Sequence, residues 1–443
     1  MMIEQLVAMP KYEAYKDSGV EWLGEIPEHW SVKRTKYLFK EIYERSNKGT
    51  EELLSVSQYT GVTKKSDRVE EGDLLTNAAS LEGYKKVSIG DLVSNIMLAW
   101  NGSLGFSPFN GITSPAYSIY RLNGGGSERY FHYLLRTDLY KAEYKRKSSG
   151  VIESRLRLYT EDFFDVWCLL PLLSEQTAIA AFLDQKTAQI DQAVAIKEKQ
   201  IALLKERKQI LIQNTVTRGL NLGAPMRDSG VEWIGEIPQH WQVKRLRLIG
   251  NTQNGISAGA DYFGSGYPFV SYGDVYNNRE LPIAVKGLAK SSDNDRKQYS
   301  IEKGDVLFTR TSETIEEIGF ASVCMKTILN STFSGFLIRF RPKTGELFEG
   351  FSKYYFNAPM LRLYFVKEMN LVIRASLSQE LLKSLPVLLP PFYEQKNIYD
   401  HIETESAKID QAISIQQQQI DKLKEYKATL INSAVTGKIF VNY

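Results

Sequence analysis

"DSGVEWLGEIPEHWSVKR" occupies Asp17–Arg34, and "DSGVEWIGEIPQHWQVKR" occupies Asp228–Arg245. Fifteen of the eighteen aligned positions are identical, at an offset of 211 residues. A second pair of segments also matches: "EQTAIAAFLDQKTAQIDQAVAIKEKQIALLKERKQILIQNTVT" (Glu175–Thr217) and "EQKNIYDHIETESAKIDQAISIQQQQIDKLKEYKATLINSAVT" (Glu394–Thr436), at an offset of 219. Self-similarity at this scale decides the architecture before any local reading does. The chain runs phrase, variable block, long segment, and then the same three again. The extra eight residues fall between Arg245 and the second long segment.

The long segments predict helices that pack on each other. Leu183, Ile190, Lys197, Leu204 and Leu211 form one row at seven-residue spacing, and Thr187, Val194, Ile201, Lys208 and Thr215 form a second row offset by four. The other copy repeats this with Ile402, Ile409, Gln416, Leu423 and Leu430, and with Ser406, Ile413, Ile420, Lys427 and Ala434. That is a coiled-coil seam, about 65 Å long at the α-helical rise. Connectivity favours an antiparallel pair, which brings the C-terminus near the first phrase. Prolines in "LPLLSEQ" and "LPPFYEQ" close the preceding strands, and Ser174 is a candidate cap for the first helix. Lys197 with Gln416, and Lys208 with Lys427, either fix register inside the seam or lay their stems along its edge.

The blocks between, roughly 35–170 and 246–389, keep faint landmarks. "IGDLVSNIM" (Ile89–Met97) resembles "KGDVLFTRT" (Lys303–Thr311), and "TSPAYSIYR" (Thr113–Arg121) resembles "FSGFLIRFR" (Phe333–Arg341). Short apolar or alternating runs bounded by Gly and Pro read as strands. The expected fold class is α+β: two mixed α/β domains separated by a long antiparallel two-helix coiled coil, with an internal pseudo-twofold repeat. The divisions fall at 1–34 (connector repeat), 35–173 (first variable domain), 174–220 (first spacer helix), 221–245 (second connector), 246–392 (second variable domain) and 393–443 (second helix and tail). The phrase, with Trp22, Ile26, Pro27 and Trp30 matched by Trp233, Ile237, Pro238 and Trp241, reads as a connector where block meets helix. Its tryptophans double as domain core, and a binding role for His29 or His240 is the competing reading.

Composition narrows the function. At 443 residues, with 43% hydrophobic and 24% charged, this is an ordinary multi-domain globular chain. Two isolated cysteines, Cys168 and Cys324, suit a reducing cytoplasm and offer no metal cluster. No apolar run reaches transmembrane length, so the expected location is cytoplasmic. There is no GxxxxGK[ST], GxGxxG, HExxH, CxxC or GxSxG motif, and no Asp/Asn-Pro-Pro-Tyr/Phe tetrapeptide of an amino-methyltransferase; "NAPM" (Asn357–Met360) lacks the paired proline and the aromatic. A duplicated scaffold with unlike interiors points to a recogniser with no catalytic residues and no cofactor of its own.

DNA fits a ligand read at two places with different content, because sites one helical turn, roughly 34 Å, apart present the same face. The candidate contacts in block one are Lys64, Lys65, Arg68, Tyr84, Lys85, Lys86, Trp100 and Asn101, with Lys145, Arg146 and Lys147 as a cluster of three adjacent cations. In block two they are Gln253, Asn254, Tyr272, Asn277, Asn278, Arg279, Arg296, Lys297 and Arg310. Lysines suit phosphates; Arg, Asn and Gln suit base edges. Arg155 aligns with Arg374 and Leu158 with Leu377, so that basic pair grips backbone phosphate or forms a salt bridge to the helices. Any single one of these cations also reads as solvated surface.

Taken together, "YKDSGVEWLGEIPEHW", the GDLV and SPAY landmarks and "LP-L-EQ" before a long helix resemble the specificity (S) subunit of type I restriction–modification systems, over essentially the whole chain. The resemblance implies a non-catalytic subunit in which each variable block is a target-recognition domain for one half of a bipartite, asymmetric double-stranded DNA target. It implies that the helices set the gap, and that two modification subunits and restriction subunits are recruited. S-adenosylmethionine, ATP and Mg²⁺ would sit on those partners. The family's contact residues form no fixed motif, so the site residues above rest on residue type and position alone. Two competing classes are a two-domain spacer binding proteins or glycans, and a self-sufficient enzyme.

Overall fold

The computed structural model describes residues 9–68, 78, 80–152, 155–312, 318–361, 364–365 and 375–442. The chain forms two compact units. One runs through Glu198 and resumes at Gln417; the other is Lys199–Gln416. The long segments are continuous helices, Leu173–Arg218 (46 residues) and Phe392–Val435 (44 residues), and each contributes one part to either unit.

In the first unit a four-stranded antiparallel sheet has the order Phe39–Glu41, Tyr117–Leu122, Leu92–Asn95, Leu104–Phe106. In the second unit the order Gly250–Asn254, Leu337–Pro342, Val306–Thr309, Ala321–Val323 repeats it. Blocks with little common sequence therefore share one topology, and the two landmarks show why. Asp91 and Asp305, both buried, each take a paired hydrogen bond from an arginine on the adjacent strand. Arg121 donates at 2.6 and 2.8 Å, and Arg341 at 2.7 and 2.6 Å. Each carboxylate also accepts a backbone N–H three residues earlier, from Ser88 and Glu302, at 2.8 Å. A buried carboxylate persists only when neutralised and hydrogen-bonded, so this aspartate–arginine pair tolerates few replacements while the surface around it varies.

The end of the repeated phrase is a strand. Ser31–Arg34 pairs antiparallel with Trp167–Leu170, and Gln242–Arg245 pairs with Pro386–Leu389. Each variable block is thus sewn shut where it begins and ends, just ahead of its long helix.

Within each unit the helix parts run antiparallel. Lys427 meets Asp191 at 2.7 Å in the first unit, and Lys208 meets Asp410 at 2.7 Å in the second. The two pairs are reciprocal under the 219-residue offset. Lys208 and Lys427 therefore lie at the seam's edge with their ammonium groups on carboxylates. Lys197 donates to Gln419. Leu183, Ile190, Ile201, Ile402, Ile409, Ile420, Leu423 and Leu430 are buried as the heptad spacing requires. Ser174 does not cap the first helix: the helix starts one residue earlier, at Leu173. Gln176 takes the anchoring role, its Nε2 bonding Pro171 O at 2.9 Å and its Oε1 accepting Ser127 N at 2.9 Å. Gln395 does the same with Pro390 O and Phe348 N.

The C-terminus returns to the first phrase. Phe440 N donates to Pro10 O at 2.7 Å, and the Tyr12 and Phe440 rings meet edge-on. Gly437 (φ +73°) lies so close to Pro27 and Trp30 that a Cβ there would clash, while Gly219 (φ +72°) holds the corresponding place beside Trp241 and Glu394. Left-handed backbone plus close approach leaves room only for glycine. No helix among the described residues is long and apolar enough to cross a membrane.

Candidate DNA-recognition site

The phrase's tryptophans and histidines converge on one carboxylate in each unit. Glu175, fully buried, accepts from Trp30 Nε1 at 3.0 Å and Tyr12 OH at 2.5 Å, and bonds His29 Nε2 at 2.9 Å. Glu394 bonds His240 Nε2 at 2.8 Å and accepts from Trp241 Nε1 at 3.2 Å. The connector reading of the phrase is what this geometry supports, with both histidines acting in the latch. A further duplicated contact was not legible beforehand. Tyr133 OH reaches Asp184 at 2.6 Å, and Tyr354 OH reaches Glu403 at 2.9 Å. Only the 219 offset between Asp184 and Glu403 could have signalled it.

The candidate contacts divide by how much of each side chain the fold already uses. Lys85 is buried with its Nζ 4.0 Å from Glu41; burial pulls its ammonium pKa down while Glu41 opposes that. Such a lysine is scaffold. Of the three-cation cluster at the end of helix Asp138–Lys147, Arg146 holds Glu143 at 2.6 Å and Lys147 holds Asp165 at 2.6 Å, while Lys145 lies 5.8 Å from the Trp100 ring. Anionic partners for two of these cations are therefore intramolecular. Trp100 and Asn101 share a short 3-10 turn next to this helix, with Trp100 Nε1 on Met97 O and Asn101 Oδ1 accepting from Ser103.

Lys64 ends a strand with Nζ 5.5 Å from the Phe109 ring, Lys65 bonds Leu53 O through its backbone, and Lys86 faces Glu51 at 3.9 Å. Tyr84 holds Ser46 N through its carbonyl. Arg68 ends the turn Ser66–Arg68, its side chain lying outside the described residues. Arg155 is exposed just after Gly150, and Arg374 lies outside the described residues.

In the second domain Gln253 accepts from Arg339, and Asn254 Oδ1 is buried without a hydrogen bond among the described residues. Arg296 stacks 3.6 Å above Tyr267 and is tied to Asp293 and Ser291 O, leaving neighbouring Lys297 exposed. Half-buried Arg310 reaches Gly335 O at 3.5 Å. Tyr272, Asn277, Asn278 and Arg279 are brought together around helix Tyr272–Tyr276, whose capping box Ser271–Asp274 fixes its start.

Among the described residues no group of His, Cys, Asp or Glu is placed to hold a metal ion. His132 is held far from its ordinary range. Burial, then Arg136 and Arg129, push its pKa from 6.5 to about 3, and its Nδ1 accepts Phe106 N at 3.4 Å. The native imidazole is neutral, whereas the unfolded one takes a proton below 6.5. Between pH 6.5 and 3 the unfolded state therefore binds more protons, and stability falls as pH falls. We expect chemical denaturation of the His132→Asn variant to show a shallower acid loss than wild type, by up to about 1.4 kcal/mol per pH unit. Identical pH slopes would exclude His132 as the cause.

The two units thus share one sheet order, one buried aspartate–arginine pair and one glutamate latch, a duplicated α+β scaffold. Residues 238–425 match the family of the type I restriction modification DNA specificity domain. The chain is 25% identical over 306 residues to the type I restriction enzyme EcoKI specificity subunit of Escherichia coli K12, covering 67% of this chain and 61% of that protein. It is 22% identical over 374 residues to the MjaVIII specificity subunit of Methanocaldococcus jannaschii, covering 81% and 83%. The matched part thus spans about three-fifths of the E. coli relative's length. Among solved structures, a chain from a study of complex assembly and conformational transition of the type I R-M system superposes with a TM-score of 0.67 at 16% identity, covering 93% of this chain and 98% of that one. The HsdS subunit of Thermoanaerobacter tengcongensis superposes with a TM-score of 0.55 at 16% identity, covering 94% and 98%. In its second half by family model, and along most of its length by relatives and fold, the chain is similar to specificity subunits of type I restriction–modification systems.

Proposed function

We propose that this chain is the non-catalytic DNA sequence-specificity subunit of a methyltransferase/endonuclease complex, acting in the cytoplasm. Each variable domain, bounded at 35–173 and 246–392, reads one half-site of a bipartite, asymmetric target, and the paired long helices set the gap between them. Two modification subunits and the restriction subunits are recruited; S-adenosylmethionine, ATP and Mg²⁺ are theirs. The observation that carries this reading is the contrast between what is duplicated and what is not. Sheet order, the buried aspartate–arginine pair and the glutamate latch recur in both units, while the loops around them differ in sequence and course. Identical partners need identical sockets, and unlike half-sites need unlike readers.

The test is methylome sequencing of cells expressing this chain with a cognate modification subunit, against cells with the modification subunit alone. A new split motif with a fixed gap supports the reading. No new methylation, although the modification subunit is bound and folded, sinks it in favour of a protein- or glycan-binding spacer.

A further inference from the structure

Both recognition domains carry an open cleft; the first is also walled by the long helices, at Thr187, Asp191, Lys427 and Ile431, and the second by Pro359. The first has a volume of about 430 Å³, with Gln58, Tyr59, Thr60, His132 and Arg136 in its wall. The second has a volume of about 360 Å³ and is lined by Tyr276, Asn277, Asn278, Arg279, Phe320 and Asn357. Both volumes fall within the range of about 300–1,000 Å³ typical of clefts that take a small group.

The correspondence is set by hydrogen bonds. Arg136 stands two residues past helix Glu128–Leu134, and Asn357 two residues past helix Glu349–Tyr355. Arg136 Nη1 donates to Leu104 O at 2.8 Å, and Asn357 Nδ2 donates to Ala321 O at 2.9 Å. Those carbonyls are equivalent. Leu104 pairs with Ser94 and Ala321 with Phe308, each three residues past the buried aspartate. Each cleft therefore has in its wall a side chain that holds the equivalent carbonyl, Arg136 in one and Asn357 in the other.

The lips differ. In the first domain the lip is the turn Gln58–Thr60 between strands Leu54–Ser57 and Gly61–Lys64. Arg136 clamps it through Nη2 to Gln58 O at 2.7 Å and Tyr59 O at 3.2 Å, and Gly61 and Gly105 leave the guanidinium room. Tyr59 itself stands 83% exposed on this pinned backbone. In the second domain the lip is the end of helix Tyr272–Tyr276 and the three residues after it, pinned to the edge strand by Val323 N on Arg279 O at 3.0 Å. Asn277 and Asn278 turn their Nδ2 atoms back onto Gly273 O and Asp274 O, both at 2.9 Å. Their Oδ1 atoms are left as acceptors, beside the exposed Arg279.

We propose that these lips, Gln58–Thr60 and Tyr276–Arg279, are the specificity-determining elements of the two domains, each contacting base edges of one half of a double-stranded DNA target at the rim of its cavity. The proposal rests on the DNA-specificity reading above. A packing defect would not recur with the same pinned carbonyl beneath unlike, exposed polar residues, whereas two readers built on one scaffold require that arrangement. The chemistry suits base edges: an amide Oδ1 accepts from the exocyclic amine of adenine or cytosine, an arginine fork takes guanine, and rigid backbone support keeps the ordering cost low.

The experiment uses the assembled complex with its modification subunit and a panel of duplexes permuted at each position of the target. Arg279→Ala is expected to lose on the order of 10-fold discrimination at a position of one half-site only, with the other half read as before. Arg279→Lys should retain affinity but not that discrimination, because the charge survives and the fork does not. Tyr59→Ala should act only on the opposite half-site. Wild-type discrimination at every position in all three folded variants would overturn the assignment, as would an equal loss at both half-sites. A wild-type complex with no sequence preference would instead refute the underlying DNA-specificity reading, so the two failures are distinguishable.

Discussion

Replacing Glu175 by alanine is expected to destabilise the first unit by about 1–3 kcal/mol, because it strands the buried indole donor of Trp30 and removes a partner of the half-buried Tyr12 hydroxyl. The Trp30 indole N–H has no exposure through which water could replace the carboxylate, and the Tyr12 hydroxyl is bonded to the same oxygen. His29 contributes less, since its ring is 43% exposed. Glu394→Ala in the second unit should cost less, because that side chain is 15% exposed, where Glu175 is fully buried. Denaturant unfolding of the full chain, followed by tryptophan fluorescence and hydrogen exchange, would separate the two effects. The loss should localise to residues 9–198 and 417–442 for Glu175→Ala and to 199–416 for Glu394→Ala. Glu175→Gln, which retains an acceptor, should recover part of the stability. If Glu175→Ala shifted stability by less than about 0.5 kcal/mol, the range of ordinary surface substitutions, the carboxylate would be a bystander to tryptophan packing.

The second large effect is expected at Asp305. Its carboxyl is buried, takes two hydrogen bonds from Arg341 and one from Glu302 N, and burial raises its pKa against the opposing pull of Arg341. Asp305→Ala leaves Arg341 with Glu302 and with the carbonyl and hydroxyl of Ser300, and removing one member of a buried pair costs about 3–5 kcal/mol, less where such partners remain. Asp91→Ala in the first domain should cost a similar amount, since the Arg121 and Arg341 side chains are 36% and 31% exposed. The double replacement Asp305→Leu/Arg341→Met should be milder than Asp305→Ala alone, because it leaves no uncompensated charge. Thermal unfolding of the three variants decides the matter: a double variant worse than the single one would show that the pair contributes net stability, and not merely a penalty when broken.

The glutamate latch and the aspartate–arginine pair explain which parts of the site were readable from residues alone. Paired strands Ser31–Arg34 and Trp167–Leu170 lie 136 positions apart at their starts, yet the phrase and "LP-L-EQ" that carry them were visible because both are duplicated. Arg279 and Asn278 were selectable by residue type, but so were Lys85, Arg146 and Lys147, which the fold spends on Glu41, Glu143 and Asp165. Residue type states what a side chain can bond to; only its neighbours state whether that capacity is already used.

Periodicity and repetition alone made legible the duplicated order of parts, the two long helices and the antiparallel return of the chain end to the first phrase. Both are local or self-referential and survive divergence. Tertiary structure alone decided that the unlike blocks share one sheet order, that Arg136 and Asn357 hold the same carbonyl with different chemistry, and which cations are already neutralised. Such facts depend on pairings across dozens of residues, where many side chains satisfy one backbone geometry, and a hydrogen bond to a carbonyl leaves no mark on the identity of the residue that supplies it.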